Sequence, residues 1–135
     1  EWNEKSAKQG YAEAQAYLGS AYYLGDDGIP QDYNKAFKWN EKAAEQGLPY
    51  AQGLLGIMYA FGQGVNQNYS QSFKWHEKAA KQGVIESQAF VADAYVTGKG
   101  VRQNFGLAKE FFGLACDNGL QMSCDKYREM NEAGY

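Results

Sequence analysis

The chain is poor in proline, cysteine and histidine: 135 residues hold two prolines, two cysteines and one histidine. A lone histidine, His76, leaves no Ser-His-Asp or Cys-His arrangement to be completed and no metal site built from several histidines. Positive charge is not in surplus either, since the formal net charge is −3 and the pI is near 5.1. Nucleic acid and anionic membranes attract clustered cations, so neither is an expected partner. No apolar run approaches the roughly 18 residues that cross a bilayer, and Glu1-Trp2-Asn3-Glu4-Lys5 does not resemble a secretory signal. What is present is the composition of a folding chain, 44% hydrophobic and 21% charged, within the roughly 100 to 200 residues of one domain.

Laid over itself, the chain repeats with a period of about 36 residues. The block from Ala36 to Gly47 recurs from Ser72 to Gly83. Its tail opens the chain at Trp2 to Gly10, and a divergent copy runs from Ala108 to Gly119. Trp2, Trp39, Trp75 and Phe111 are spaced 37, 36 and 36 residues apart. The longer interval comes from one extra residue in Gly25-Asp26-Asp27-Gly28 relative to Gly62-Gln63-Gly64, an insertion of the kind a turn tolerates. A second block, Ala14 to Gly25, returns at Ala51 to Gly62 and Ser87 to Gly98. We name the second block helix A and the tryptophan block helix B. Because the chain opens inside a repeat, it reads as a fragment or a processed product.

Each B block follows Asp32, Asn68 or Asn104, whose side-chain oxygens can accept from the unpaired N–H groups that open a helix. B blocks stop at Gly47, Gly83 or Gly119 and A blocks at Gly25, Gly62 or Gly98, where a left-handed residue costs glycine almost nothing. Helix spacing places Ala14, Leu18, Ala21, Tyr22 and Gly25 on one buried stripe, repeated by Ala51, Leu55, Met58, Tyr59 and Gly62. The B stripe is Tyr33, Ala36, Phe37, Trp39, Ala43 and Ala44. A single hairpin of this pattern cannot bury its apolar side, whereas stacked neighbours can. The aromatics are therefore expected in the core.

The pattern A-x-x-x-L-G-x-x-Y-x-x-G-x-G-V followed by A-x-x-W-x-x-K-A-A-x-x-G resembles the Sel-one-like repeat (SLR) family, relatives of tetratricopeptide repeats. It is carried by Ala51, Leu55, Gly56, Tyr59, Gly62, Gly64, Val65, Ser72, Trp75, Lys78, Ala79, Ala80 and Gly83. Departures are Val91-Ala92 in place of Leu-Gly, Ile29 in place of valine, and the missing tryptophan of the last B block. The resemblance implies a curved solenoid acting as an adaptor, often in bacterial envelope or host-contact settings and also in eukaryotic protein quality control, with no shared catalytic residues.

Cys116 and Cys124 bracket the turn at Gly119, and residues flanking a helix hairpin can come within disulfide range. Their equivalents two repeats earlier are Ala44 and Gln52, so cysteine is an addition at the terminal repeat. The spacing is similar to that of the Helicobacter cysteine-rich proteins, secreted relatives with a bridge across each repeat. A bridge favours a periplasmic or secreted location; two reduced thiols would instead fit a cytoplasmic assembly adaptor.

Candidate chemistry is thin. His76 occupies the polar slot of Asn3 and Asn40 on helix B and is expected at the surface. Ser123-Cys124-Asp125-Lys126 matches Ser-x-x-Lys of penicillin-recognising enzymes, and the resemblance to the cysteine-rich proteins implies a weak β-lactam-binding or hydrolase activity as an alternative, but the companion Lys-Thr-Gly and Ser-Asp-Asn elements are absent. Asp26-Asp27 reads as a solvated turn, and the sequon Asn68-Tyr69-Ser70 as a helix cap. No catalytic, cofactor-binding or metal-binding residue is assigned.

Charge separates the two helix types. Helix B carries six charged residues from Asp32 to Gln46, whereas helix A carries one from Ala12 to Gly25 and none from Pro49 to Gly62. The A stripe facing away from the core is Ala16, Ser20 and Tyr23, then Gly53, Ile57, Ala60 and Phe61, then Ala89, Asp93 and Val96. It is expected to form the concave wall and to accept a protein or peptide, with Tyr23 and Phe61 exposed; for Ala16, Gly53 and Ala89 the alternative reading is that small residues let adjacent A helices crowd together on the tight side of the curve. The fold expected is all-α, an α-solenoid of eight helices in one domain over 1–135. It divides into a partial repeat at 1–10, repeats at 11–47, 48–83 and 84–119, and a capping segment at 120–135 with its helix from Met122 to about Glu132. The expected function is a non-enzymatic, monomeric scaffold that needs no cofactor.

Overall fold

The computed structural model describes residues 10–26 and 28–135. It is all-helical among these residues. The A helices are α1 (Ala12–Leu24), α3 (Pro49–Phe61), α5 (Ile85–Thr97) and α7 (Gln121–Glu132), and the B helices are α2 (Tyr33–Glu45), α4 (Tyr69–Lys81) and α6 (Phe105–Asp117). Seven helices are thus present among the described residues where eight are expected. The eighth falls on the half-repeat at 1–10, which lies outside them except for Gly10.

Local chemistry sets the helix ends. Asp32, Asn68 and Asn104 each accept a hydrogen bond from the backbone N–H three residues on, at 3.1, 3.1 and 3.0 Å. The A helices end in left-handed Gly25, Gly62 and Gly98, which donate to the carbonyls of Ala21, Met58 and Ala94. As residues just past a helix end, Gly25 and Gly62 are exposed and do not extend the buried stripe. Gly64 has a further reason to be glycine: a Cβ there would overlap the Tyr33 carbonyl of the preceding repeat, and its φ is +74°.

The packed pairs are helices adjacent in the chain, with a lesser contact of α1 on α3, and α1 does not pack on α7. The arrangement is therefore an open stack. Ala36, Ala43, Ala44, Ala51 and Leu55 are fully or nearly fully buried, because alanines at facing positions let the backbones approach. Aromatics fill the space between repeats. Phe37 meets Tyr59 edge-on at 5.5 Å, and one repeat later Phe73 meets Tyr95 at 5.3 Å. Trp39 is 9% exposed, and the ammonium groups of Lys42 and Lys78 lie over the Trp39 and Trp75 rings at 4.9 and 4.5 Å.

A polar ladder, which the repeat pattern did not disclose, ties the stack together. Buried Gln52 donates to the Ala44 carbonyl at 3.3 Å and accepts from Gln82 at 2.8 Å. Gln88 repeats this toward Ala80 and Asn118, and Gln15 accepts from Gln46 at 2.6 Å. At the next equivalent position the glutamine is replaced by Cys124, bonded to Cys116 with a Cα–Cα distance of 4.6 Å. A covalent link thus stands where the inner hairpins use a glutamine-to-carbonyl bond.

Candidate functional site on the A-helix face

Three shallow cavities of about 390, 280 and 250 Å³ lie along the A helices. Shared walls join them: His76 lines the first and second, Glu86 the second and third, and Phe90 and Asp93 the first and third. Of the residues expected on this face, Ser20, Tyr23, Gly53, Ile57, Ala60, Phe61, Ala89 and Asp93 line the strip; Ala16 and Val96 instead pack against core clusters.

Exposure along the strip is uneven. Phe61 is 65% exposed. Tyr23, expected to be exposed, is half-buried: its hydroxyl donates to Gln63 at 2.8 Å and its ring leans on Tyr33 at 5.3 Å. Gly53 is buried, and a Cβ there would sit 3.2 Å from Ser87 Oγ, so it serves close packing. Asp93 is exposed, and loss of hydration in the groove raises its pKa while Lys126 pulls it down. The sequence reading missed Leu24, Tyr50, Phe90 and Met122, which complete the apolar lining. Phe90 could have been found, because it lies one turn from both Glu86 and Asp93.

His76 is not at the surface. It is 2% exposed, stacked on Phe90 at 4.3 Å, with Nδ1 3.0 Å from Ser87 Oγ and Nε2 unpartnered. Gly56 makes the room, since a Cβ there would lie 2.6 Å from His76 Cδ2. Asn40, in the same slot one repeat earlier, is 1% exposed and donates to the Ala51 carbonyl at 3.4 Å. Burial pushes the imidazole down to about 4, so it is a poor base. The His76–Ser87 contact also lacks a carboxylate to orient the ring, and both residues are buried, which does not suit nucleophilic catalysis. Ser123 is 2% exposed, Lys126 pairs with Glu129 at 3.9 Å, and no hydrogen bond joins the serine to the lysine, although both border the third cavity. Among the described residues no cluster of His, Cys, Asp or Glu could hold a metal ion; Asp27 lies outside them.

The Sel1 repeat model matches at 12–48, 49–84 and 85–120, spanning most of the chain. The chain belongs to the Sel1 repeat family. Sel1 repeats generally serve as non-catalytic scaffolds for protein–protein interaction. The chain is similar to c5321, a protective antigen present in uropathogenic Escherichia coli strains that displays an SLR fold. Identity is 41% and the TM-score 0.93, over 98% of this chain and 28% of that one. A Sel1 repeat protein from Oxalobacter formigenes is 37% identical with a TM-score of 0.84, over 94% of this chain and 95% of that one. Cysteine-rich protein B of Helicobacter pylori shares the fold at 23% identity and a TM-score of 0.69, over 84% of this chain and 91% of that one. No curated protein shows significant similarity to the chain. No helix among the described residues is long and apolar enough to cross a membrane.

Proposed function

We propose that this Sel1 array is a binding scaffold whose A-helix strip forms the inner wall of a curve and docks a protein or peptide. One observation carries the reading. Leu24, Tyr50, Phe61 and Met122, 69%, 82%, 65% and 74% exposed, border one joined set of cavities although they come from three A helices. Contiguous apolar surface of this kind marks interaction sites. Extended inner surfaces are how stacked hairpins bind. Ile57, Ala60 and Ala89 would floor the groove, Tyr23 and Phe61 would wall it, and Asp93 would supply a polar contact. The Cys116–Cys124 bridge supports an oxidising compartment, periplasmic or secreted. Kinship with a bacterial protective antigen accords with that setting.

The test compares immobilised wild-type chain with Tyr50→Asp/Phe61→Asp and with Lys38→Glu on helix B, using envelope extract of the source cells. The expected result is a partner retained by the first and third proteins and lost by the second. Equal capture by all three would remove the strip as the docking surface. Alkylation of unreduced protein from the same cells should find no free thiol; two would remove the compartment argument.

A further inference from the structure

The cavity between α3, α4 and α5 brings four aromatic side chains together with a carboxylate. Phe61, Tyr69, Phe73 and Phe90 line it, and the Asp93 carboxylate opens into it. Among the described residues that carboxylate makes no ion pair or hydrogen bond, whereas the cations nearby are engaged. Lys99 places its ammonium over the Tyr69 ring at 5.4 Å, on the wall of the same cavity, and Lys126 pairs with Glu129. The chain therefore already seats one of its own cations on an aromatic face of this cavity, beside a carboxylate that Lys126 influences at a distance but does not pair with. Glu86, seven residues before Asp93, stands two helical turns away along the same face of α5 and also makes no ion pair among the described residues. Both carboxylates along the strip are thus without a direct partner among the described residues, and their setting is aromatic.

Aromatic faces attract cations, more strongly where water is displaced, and a carboxylate adds a charge-assisted hydrogen bond. At about 390 Å³ the cavity is within the range of roughly 300 to 1,000 Å³ typical of ligand pockets. Resting on the reading of the strip as a docking surface, we propose that this cavity takes a basic side chain, arginine or lysine, of the docked peptide, seated among Phe61, Tyr69 and Phe90 and paired with Asp93. Glu86 would draw a second basic residue, and the apolar neighbours of these residues would fill the flanking cavities.

The probe is a random linear-peptide display library selected on the wild-type chain. Selected peptides are then resynthesised and measured against Asp93→Asn and Phe61→Ala, and against Tyr50→Ala as a second probe of the strip. All three positions are exposed, so the variants keep the fold. The expected consensus places arginine or lysine beside a large apolar residue. Binding should weaken about tenfold in Asp93→Asn, and by a similar factor when the basic residue of the peptide becomes glutamine. It should also weaken as salt rises. Peptides that need Phe61 but show no basic preference, or ignore Asp93→Asn, would overturn the proposal and leave the docking surface standing. Peptides indifferent to both Phe61 and Tyr50, or no enrichment at all, would overturn both.

Discussion

Acid should weaken this array through a single side chain. His76, deprived of hydration between Gly56 and Phe90, titrates at about 4, against 6.5 for an unperturbed histidine. Between those values the unfolded chain binds a proton that the folded chain refuses. The contribution to stability is therefore complete above about pH 6.5 and is lost as the pH falls toward 4. The displacement of roughly 2.5 pH units corresponds to about 3 kcal/mol, and about 2.5 kcal/mol of it is gone by about pH 4.5. The control is His76→Asn, because the preceding repeat carries Asn40 in the same buried slot. Glu41 and Asp93, both raised by lost hydration, act in the opposite sense, gaining stability as the pH falls, but they are common to both proteins and cancel in the difference. Urea unfolding of both proteins at about pH 7.5 and about pH 4.5 supplies the four free energies. Wild type should lose about 2.5 kcal/mol more than the variant across the interval. Parallel losses would show that His76 is hydrated or paired in the folded chain and that the burial argument is wrong.

Gly56→Ala drives a Cβ into the His76 ring and should cost about 2 kcal/mol in thermal or urea unfolding, partly recovered in Gly56→Ala/His76→Ala; no recovery would place the strain elsewhere. Tyr23→Asp and Phe61→Asp should separate. The first breaks the bond to Gln63 and the contact with Tyr33 and should cost about 1–3 kcal/mol, while the second should stay within about 0.5 kcal/mol of wild type, as read by thermal melts. Replacing Cys116 and Cys124 together by alanine should lower stability by about 2.5 kcal/mol in the chain-entropy model. An unchanged unfolding curve would mean that the glutamine-type contact or plain packing already holds the last hairpin.

What was legible in the sequence followed from chemistry confined to a few neighbouring residues. Asp32, Asn68 and Asn104 cap helices because their side chains reach an N–H three residues on, and the terminal glycines adopt positive φ as expected. Cys116 and Cys124 meet because a hairpin brings its flanks together. His76 was misread because polarity was weighed above period. Ser72, His76, Ala79 and Ala80 fall at i, i+4, i+7 and i+8, and all four are buried. The glutamine ladder was missed for a related reason: a polar residue reads as surface until the carbonyl it must satisfy, at the end of another helix, is known. Leu24, Tyr50 and Met122 sit near helix ends, where the angle between neighbouring hairpins rather than the turn of one helix decides which way a residue faces.

The bridge between α6 and α7 carries a consequence for the groove. The third cavity takes Leu120, Met122, Ser123 and Lys126 from the far side of that link and Ala89, Phe90 and Asp93 from the near side. Each hairpin rests on its neighbours alone, so reduction would loosen the tail end of the array and leave the inner hairpins with their glutamines undisturbed. If the strip docks a peptide as proposed, reduction would then shorten the grip by one compartment without unfolding the rest, and a single cystine would set how long a ligand fits.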